Sequence, residues 1–523
     1  MIKNFKWLFL VSLTFVACSE DEDVVTYNSS DGLPLTAGSA DFSKFVSLGN
    51  SLTAGYTDGA LFMEGQKISY PNILASQFAL VGGGEFKIPY MADNIGGLLF
   101  GGFQIQGPRF YYTGSTTSPV GQVAGPPTTE VTTLLAGPFN NLGVPGAKSF
   151  HLLAAGYGNP AGVPLGQASP YYARFASSPT AKIIDDATVQ NPTFFSLWIG
   201  NNDVLSYAVS GGAGVNQLGN LNPATYGGND ITDPTVFAST YNSLVNSLTA
   251  GGAKGVVANL PYVTSLPLFT TIRTNQLPGL PPANVGQLNQ LFGGINLALA
   301  GAGLPPRFVT LVADDGNPAT TETNPLLILD ESLINISAQI TAALSGTLGV
   351  PTATYLGGLY GRARHAKNTP STSRDYILLS AAGVIGTTQA GAPAPFNVIG
   401  VSNPMRDGTT LTADEASQIK TATDAFNASI QSIASSKGLA FVDANATFNQ
   451  VANGGIIANN FTITSTFVTG GAISMDGVHP SPRGYALTAN KFIQAINATY
   501  GSNLKGVSVG DYRILYPQNP ANF

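Results

Sequence analysis

An α/β fold built on a parallel sheet is predicted by three features of the sequence. Short apolar runs end at Gly, Asn, Asp or Pro, helical patterns lie between or after them, and the runs are nearly continuous rather than alternating. Strands covered on both faces read in this unbroken way, and helices are the usual connection between parallel strands. In open sheets of this kind the working residues gather at the carboxyl ends of the strands.

Taken in order, residues 1–17 read as a targeting segment. "MIKNFK" supplies Lys3 and Lys6, and "WLFLVSLTFVA" is an apolar run too short for a membrane span of about 20 residues. Cys18 follows a small residue and is the single cysteine, so no intramolecular disulfide can form. The acidic run Glu20–Asp23 opens a solvated linker extending to residue 42.

"FVSLGNS" (Phe45 to Ser51) is the first buried strand meeting a tight turn, and "TFFSLWIG", "KGVVANLP" and "GLAFVDA" repeat the pattern. Before the last of these, Ile419, Ala422, Phe426, Ile430 and Ile433 fall at helical spacing. Thr412 and Glu415 stand in capping-box register there, and Gly438 supplies the stop. Long irregular stretches at 81–137, 210–233 and 266–410 read as insertions around one core spanning 43–500, with a second small domain as the alternative. Within the third, "NPLLILDESLINISAQITAAL" is expected to form one or two helices, and 501–523 reads as a tail.

A hydrophobic fraction of 44% excludes disorder, and a net charge of −6 with no basic run excludes a nucleic-acid groove as the main business. The chemistry-bearing residues then stand out by position. Ser51 follows the first strand, where a nucleophilic hydroxyl would project from a turn, provided a base takes its proton. Gly146, after Pro145 in "NNLGVPGAKS", could turn a backbone N–H into a site, and "WIGNNDVL" offers the amide of Asn202. Fixed N–H donors of this kind stabilise the oxyanion formed in acyl transfer.

One of only three histidines lies in "DGVHPSPRGYAL", three residues after an aspartate and just ahead of a helix. That spacing lets Asp476 hold one ring nitrogen of His479 while the other faces a serine. The remaining histidines read as bland: His151 as a half-buried polar core residue, and His365 in "GRARHAK" as a solvated basic loop. Scattered as they are, and with no spare cysteine, they give no zinc site. Asp443 in "FVDANATF" reads as a turn closer.

In this order, the pieces resemble the GDSL, or SGNH, hydrolase family of esterases and lipases. The resemblance implies Ser51 as nucleophile, Asp476 and His479 as the other triad members, and Gly146 and Asn202 as oxyanion donors beside the Ser51 N–H. Gly146 is chosen because the family's loop looks like Asn, four residues, then Gly, which Asn141 and Gly146 satisfy; Gly143 is the fallback. "VVANLP" followed by "YVTSLP" looks like the family's stretch after its fourth strand. The resemblance also implies a three-layer α/β/α sandwich with a parallel, flavodoxin-like five-stranded sheet, and ester hydrolysis without a metal or organic cofactor.

One departure is Asn50, where the family has Asp: an isosteric amide keeps the turn but drops a charge, so activity with a shifted pH profile is expected. The leader resembles a bacterial lipoprotein signal, which implies lipidation of Cys18. The acidic run resembles the tag that sends some Gram-negative lipoproteins to the outer face of the outer membrane. The substrate expected is an ester of an acyl lipid or an acetylated polysaccharide. The competing class is an inactive surface module that binds glycans or a partner through its insertions.

Overall fold

The computed structural model describes residues 32–115, 118–317, 319–368 and 374–522; Cys18 and the acidic run lie outside them. Five parallel strands form the central sheet: β1 (Phe45–Gly49), β2 (Asn141–Gly143), β3 (Phe194–Trp198), β4 (Lys254–Ala258) and β5 (Ala440–Val442). Their spatial order is β5-β4-β3-β1-β2. All four pairings are parallel, with Ser47 opposite both Asn141 and Ser196. The chain thus starts inside the sheet, goes to one edge, and returns past β1 to build the other half. The reversal leaves a crevice at the carboxyl ends of β1 and β3, where ligands bind in sheets of this order.

Every residue of β1 and β3 is buried, as the unbroken apolar runs predict. Phe194, Ser196 and Trp198 share one face of the pleat, and Phe195 and Leu197 the other. On the first face, Tyr70 of α2 (Tyr70–Phe78) stacks on Phe492 of α10 (Pro482–Tyr500) at 4.5 Å and meets Trp198 edge-on at 5.7 Å. Elsewhere in the core, Phe237 of α4 (Pro234–Thr249) stacks on Phe426 of α8 (Ala413–Lys437) at 4.1 Å. Helix α8 begins with the reciprocal Thr412–Glu415 capping box and ends at Gly438 in the left-handed conformation.

The insertions depart from the sequence reading. The stretch expected to be helical from Asn324 instead starts extended: Leu327–Leu329 pairs antiparallel with Ala363–His365, and α6 (Ser337–Leu348) begins only after a loop. A long helix, α5 (Pro282–Gly301), forms where none was expected; it packs with α6 and α7 (Val350–Tyr360) over a separate small apolar core.

The basic loop around His365 is not solvated. Arg364 is buried, with Nε donating to Asp330 at 2.6 Å and its Nη atoms to Asp375, and His365 is buried beside it. Burying the arginine demands paired carboxylates, and these come from distant segments. The tail packs down too, since Tyr516 is buried and Pro517 accepts a hydrogen bond from buried Arg109 at 2.7 Å.

Candidate active site

Ser51 is the first residue of α1 (Ser51–Ala54), one turn that begins as β1 ends. Asn50 caps it, accepting from Leu52 N–H at 3.0 Å, and its own amide donates to Asn201 at 3.1 Å. Asn50 therefore keeps the helix-capping contact open to an aspartate and adds a donation that an ionised aspartate cannot make.

His479 arrives from the other end of the chain. Gly477, at φ 73°, lets the Asp476–His479 segment turn tightly against Leu268, where a Cβ would lie 2.9 Å from the Leu268 nitrogen. Two residues after His479, Ser481 caps α10 by accepting from Gly484 N–H at 3.1 Å, and Pro482 opens the helix. The segment is thus pinned on both sides.

These elements bring Ser51, His479 and Asp476 into one hydrogen-bonded line. His479 Nε2 lies 2.8 Å from Ser51 Oγ, and His479 Nδ1 lies 2.8 Å from Asp476 Oδ2. Asp476 Oδ2 also accepts from Gly59 N–H, while Oδ1 accepts from Val478 N–H, His479 N–H and Ser474 Oγ–H. Burial alone would raise the Asp476 pKa, but the facing charge of His479 and these hydrogen bonds overcome it and bring the value down to about 2. The carboxylate stays ionised and fixes the ring.

The donors stand alongside. As a first-turn residue, Ser51 has no intrahelical partner for its N–H. Gly146 is exposed, at φ 80°, with no protein partner for its N–H among the described residues; the fallback Gly143 instead sits inside β2 and donates to Asn141 Oδ1 at 3.0 Å. Asn202 opens α3 (Asn202–Val209) just after β3 and spends one amide hydrogen on Ala147 O at 2.9 Å, which leaves the other. Asp203 accepts from both Ser149 N–H and Ser149 Oγ–H. Successive residues of α3 thereby clamp the loop that carries Gly146.

Several residues at the site were not singled out in the sequence. The turn after α1, "YTDG", packs on the His–Asp pair: the Tyr56 ring lies 4.5 Å from that of His479, and Asp58 N–H donates to Ser474 Oγ. The Asp58–Gly59 dipeptide signals a turn and nothing more. His151 is half-buried, accepts from Lys148 N–H through Nδ1, and stacks on Tyr157 at 4.3 Å. Asp443 caps α9 (Ala444–Ala452), accepting from Ala446 N–H. Among the described residues, two carboxylate clusters with an ion-binding spacing, Asp314/Asp315/Glu322 and Glu331/Asp407/Glu415, contain none of these site residues.

No helix among the described residues is long and apolar enough to cross a membrane. No family model matches the chain, and no curated protein does. Among solved structures, an extracellular lipase from Streptomyces rimosus is similar at a TM-score of 0.26 and 12% identity, over 87% of this chain and 98% of that one.

Proposed function

We propose that the protein hydrolyses carboxylic esters through an acyl-enzyme, on a sheet of three-layer SGNH type. The supporting observation is the unbroken line Ser51 Oγ, His479 Nε2, His479 Nδ1, Asp476 Oδ2, with 2.8 Å at both of its hydrogen bonds. In this reading Ser51 Oγ attacks the acyl carbon as His479 takes its proton, and the new imidazolium is stabilised by Asp476. The oxyanion is held by the N–H groups of Ser51 and Gly146 and the free amide hydrogen of Asn202. His479 then gives its proton to the leaving alkoxide, and water repeats the sequence on the acyl-enzyme.

The test is labelling of Ser51 by a fluorophosphonate, together with p-nitrophenyl acetate turnover. Ser51→Ala and His479→Ala are each expected to lose turnover by roughly 10⁴-fold or more. Asn202→Ala should lose about 100 to 1,000-fold with the fold intact. An unlabelled Ser51, with no turnover in wild type, would leave the binding-module reading in its place.

A further inference from the structure

Two cavities are lined by residues of the candidate site, one by Ser51 and His479 and the other by Gly146. The first is a slot of about 100 Å³, with Ser51 and His479 on its wall and Leu52, Trp198, Phe448, Val451, Val478 and Phe492 around it. An apolar cavity of about 150 Å³ holds a benzene ring, so this slot holds on the order of four carbons. The second is a solvent-open cleft of about 870 Å³ whose wall includes Gln106, Gly146, His151, Tyr157, Tyr171 and Tyr226. That is the size of a site for a whole small ligand.

Gly146 belongs both to this cleft and to the proposed oxyanion donors, which on that reading sets the cleft beside Ser51. A second connection runs through Tyr56: its ring packs on His479, and its hydroxyl accepts from Gln106 Nε2 at 3.4 Å. Through Tyr56 the cleft residue Gln106 is thus linked to the imidazole that, on the ester-hydrolase reading, protonates the departing alcohol.

The wall chemistry narrows that alcohol. His151 lies nearly parallel to Tyr157, at 13°, and Phe150 meets Tyr226 edge-on at 5.7 Å, giving flat apolar surfaces. Between them stand amides and hydroxyls. His151 Nδ1 accepts from Lys148 N–H, so its Nε2 carries the hydrogen and donates. Burial and then the Lys148 charge depress the His151 pKa to about 3, which keeps the ring neutral. The Lys148 ammonium is itself buried and donates to Asp230 O at 2.6 Å. A ring alcohol with an apolar C–H face and a hydroxyl edge matches such a wall.

We propose that the scissile ester joins an acyl group of about four carbons or fewer to a neutral, polyhydroxylated ring alcohol of the kind found in glycans, acyl in the slot and ring in the cleft. This rests on the ester-hydrolase reading above. Attack forms the Ser51 Oγ–acyl bond and breaks the bond from acyl carbon to ring oxygen. The proton leaves Ser51 for His479 and passes to that oxygen. Water then forms the carboxylic acid and returns the proton to Ser51.

The experiment compares wild type, Phe448→Ala and Tyr157→Ala on p-nitrophenyl acetate, butyrate, octanoate and palmitate, and on an acetylated cello-oligosaccharide. In wild type, kcat/KM is expected to fall about 100-fold between butyrate and octanoate, and Phe448→Ala to raise the octanoate-to-acetate ratio about tenfold. Tyr157→Ala should raise KM for the oligosaccharide about tenfold more than for p-nitrophenyl acetate. Should Tyr157→Ala fail to fold, Tyr226→Ala takes its place; Phe448→Leu likewise stands in for Phe448→Ala. Octanoate or palmitate cleaved as fast as acetate, no acetate turnover at all, or cleft variants that affect both acetates alike would each overturn the proposal. Ser51 labelled by the fluorophosphonate in such a result confines the failure to this inference; an unlabelled Ser51 brings down the hydrolase reading itself.

Discussion

Asp476 and Asp58 are both withdrawn from solvent and share the Ser474 hydroxyl between them, yet their environments push them in opposite directions. Asp476 receives three backbone N–H groups, a serine hydroxyl and an imidazole, and titrates at about 2. Asp58 has burial as its largest influence; its oxygens draw the Met475 N–H, Arg109 helps from a distance, and the Asp476 charge adds to the burden, so it titrates at about 7. Ser474 Oγ joins the two by accepting from Asp58 N–H and donating to Asp476 Oδ1. The lesson is that burial alone does not decide a carboxyl group's charge; the charges facing it and the hydrogens aimed at it do.

The comparison can be broken most directly at Asp476. Asp476→Asn removes the charge that fixes the His479 tautomer, and turnover of p-nitrophenyl acetate should fall by roughly 10⁴-fold. A loss of less than tenfold (about 1.4 kcal/mol) would mean that the carboxylate does not orient the ring.

Asp58→Asn should behave in the opposite way, leaving turnover little changed and altering stability. The folded pKa of Asp58 lies above the unfolded value, so folding takes up a proton and wild-type stability declines as pH rises from about 4 to about 7. Replacing the carboxyl with a neutral amide removes that decline. Urea unfolding should show the variant gaining up to about 4 kcal/mol on wild type at pH 8, with the gain gone near pH 4. Asp476, with a lowered pKa, has the reverse linkage: its contribution is present above about pH 4 and lost as pH falls through about 2.

Ser474→Ala cuts the bridge and should cost about 1 kcal/mol, a several-fold fall in turnover, because Asp476 keeps its other donors. Asn50→Asp is the smallest change: the oxygen that caps α1 remains, the donation to Asn201 is lost, and the expected result is a displaced pH profile with turnover retained. An unshifted profile would show that a charge at position 50 is not felt at Ser51.

Much of this was legible in the sequence where local physics decides it. Four of the five sheet strands announce themselves as apolar runs. Strand β2 is only Asn141–Gly143 and looks like the turn it feeds. Helix α5 was hidden by the glycines of "LFGGINLALAGAG", and its stability comes from packing on α6 and α7 rather than from propensity. Leu327–Leu329 was misread because a short apolar run does not distinguish strand from helix until its partner strand is known.

The site divides along the same line. Ser51, Gly146, Asn202, Asp476 and His479 each sit in a turn with its own local signature, whereas Asp58, Tyr56 and the slot residue Phe448 acquire their positions only when remote segments meet. His365 was misread for the same reason, since Asp330 and Asp375 are what make Arg364 burial possible.

The hydrogen bond between Ser51 and His479 spans 428 positions of sequence. Contacts of such separation form late, after most of the loop-closure entropy has been met by other contacts. A chain still emerging from the ribosome carries Ser51 without His479 beside it. The Ser51–His479–Asp476 line therefore exists only once synthesis and folding are complete, and on the proposed hydrolase reading the nascent chain is inert toward esters.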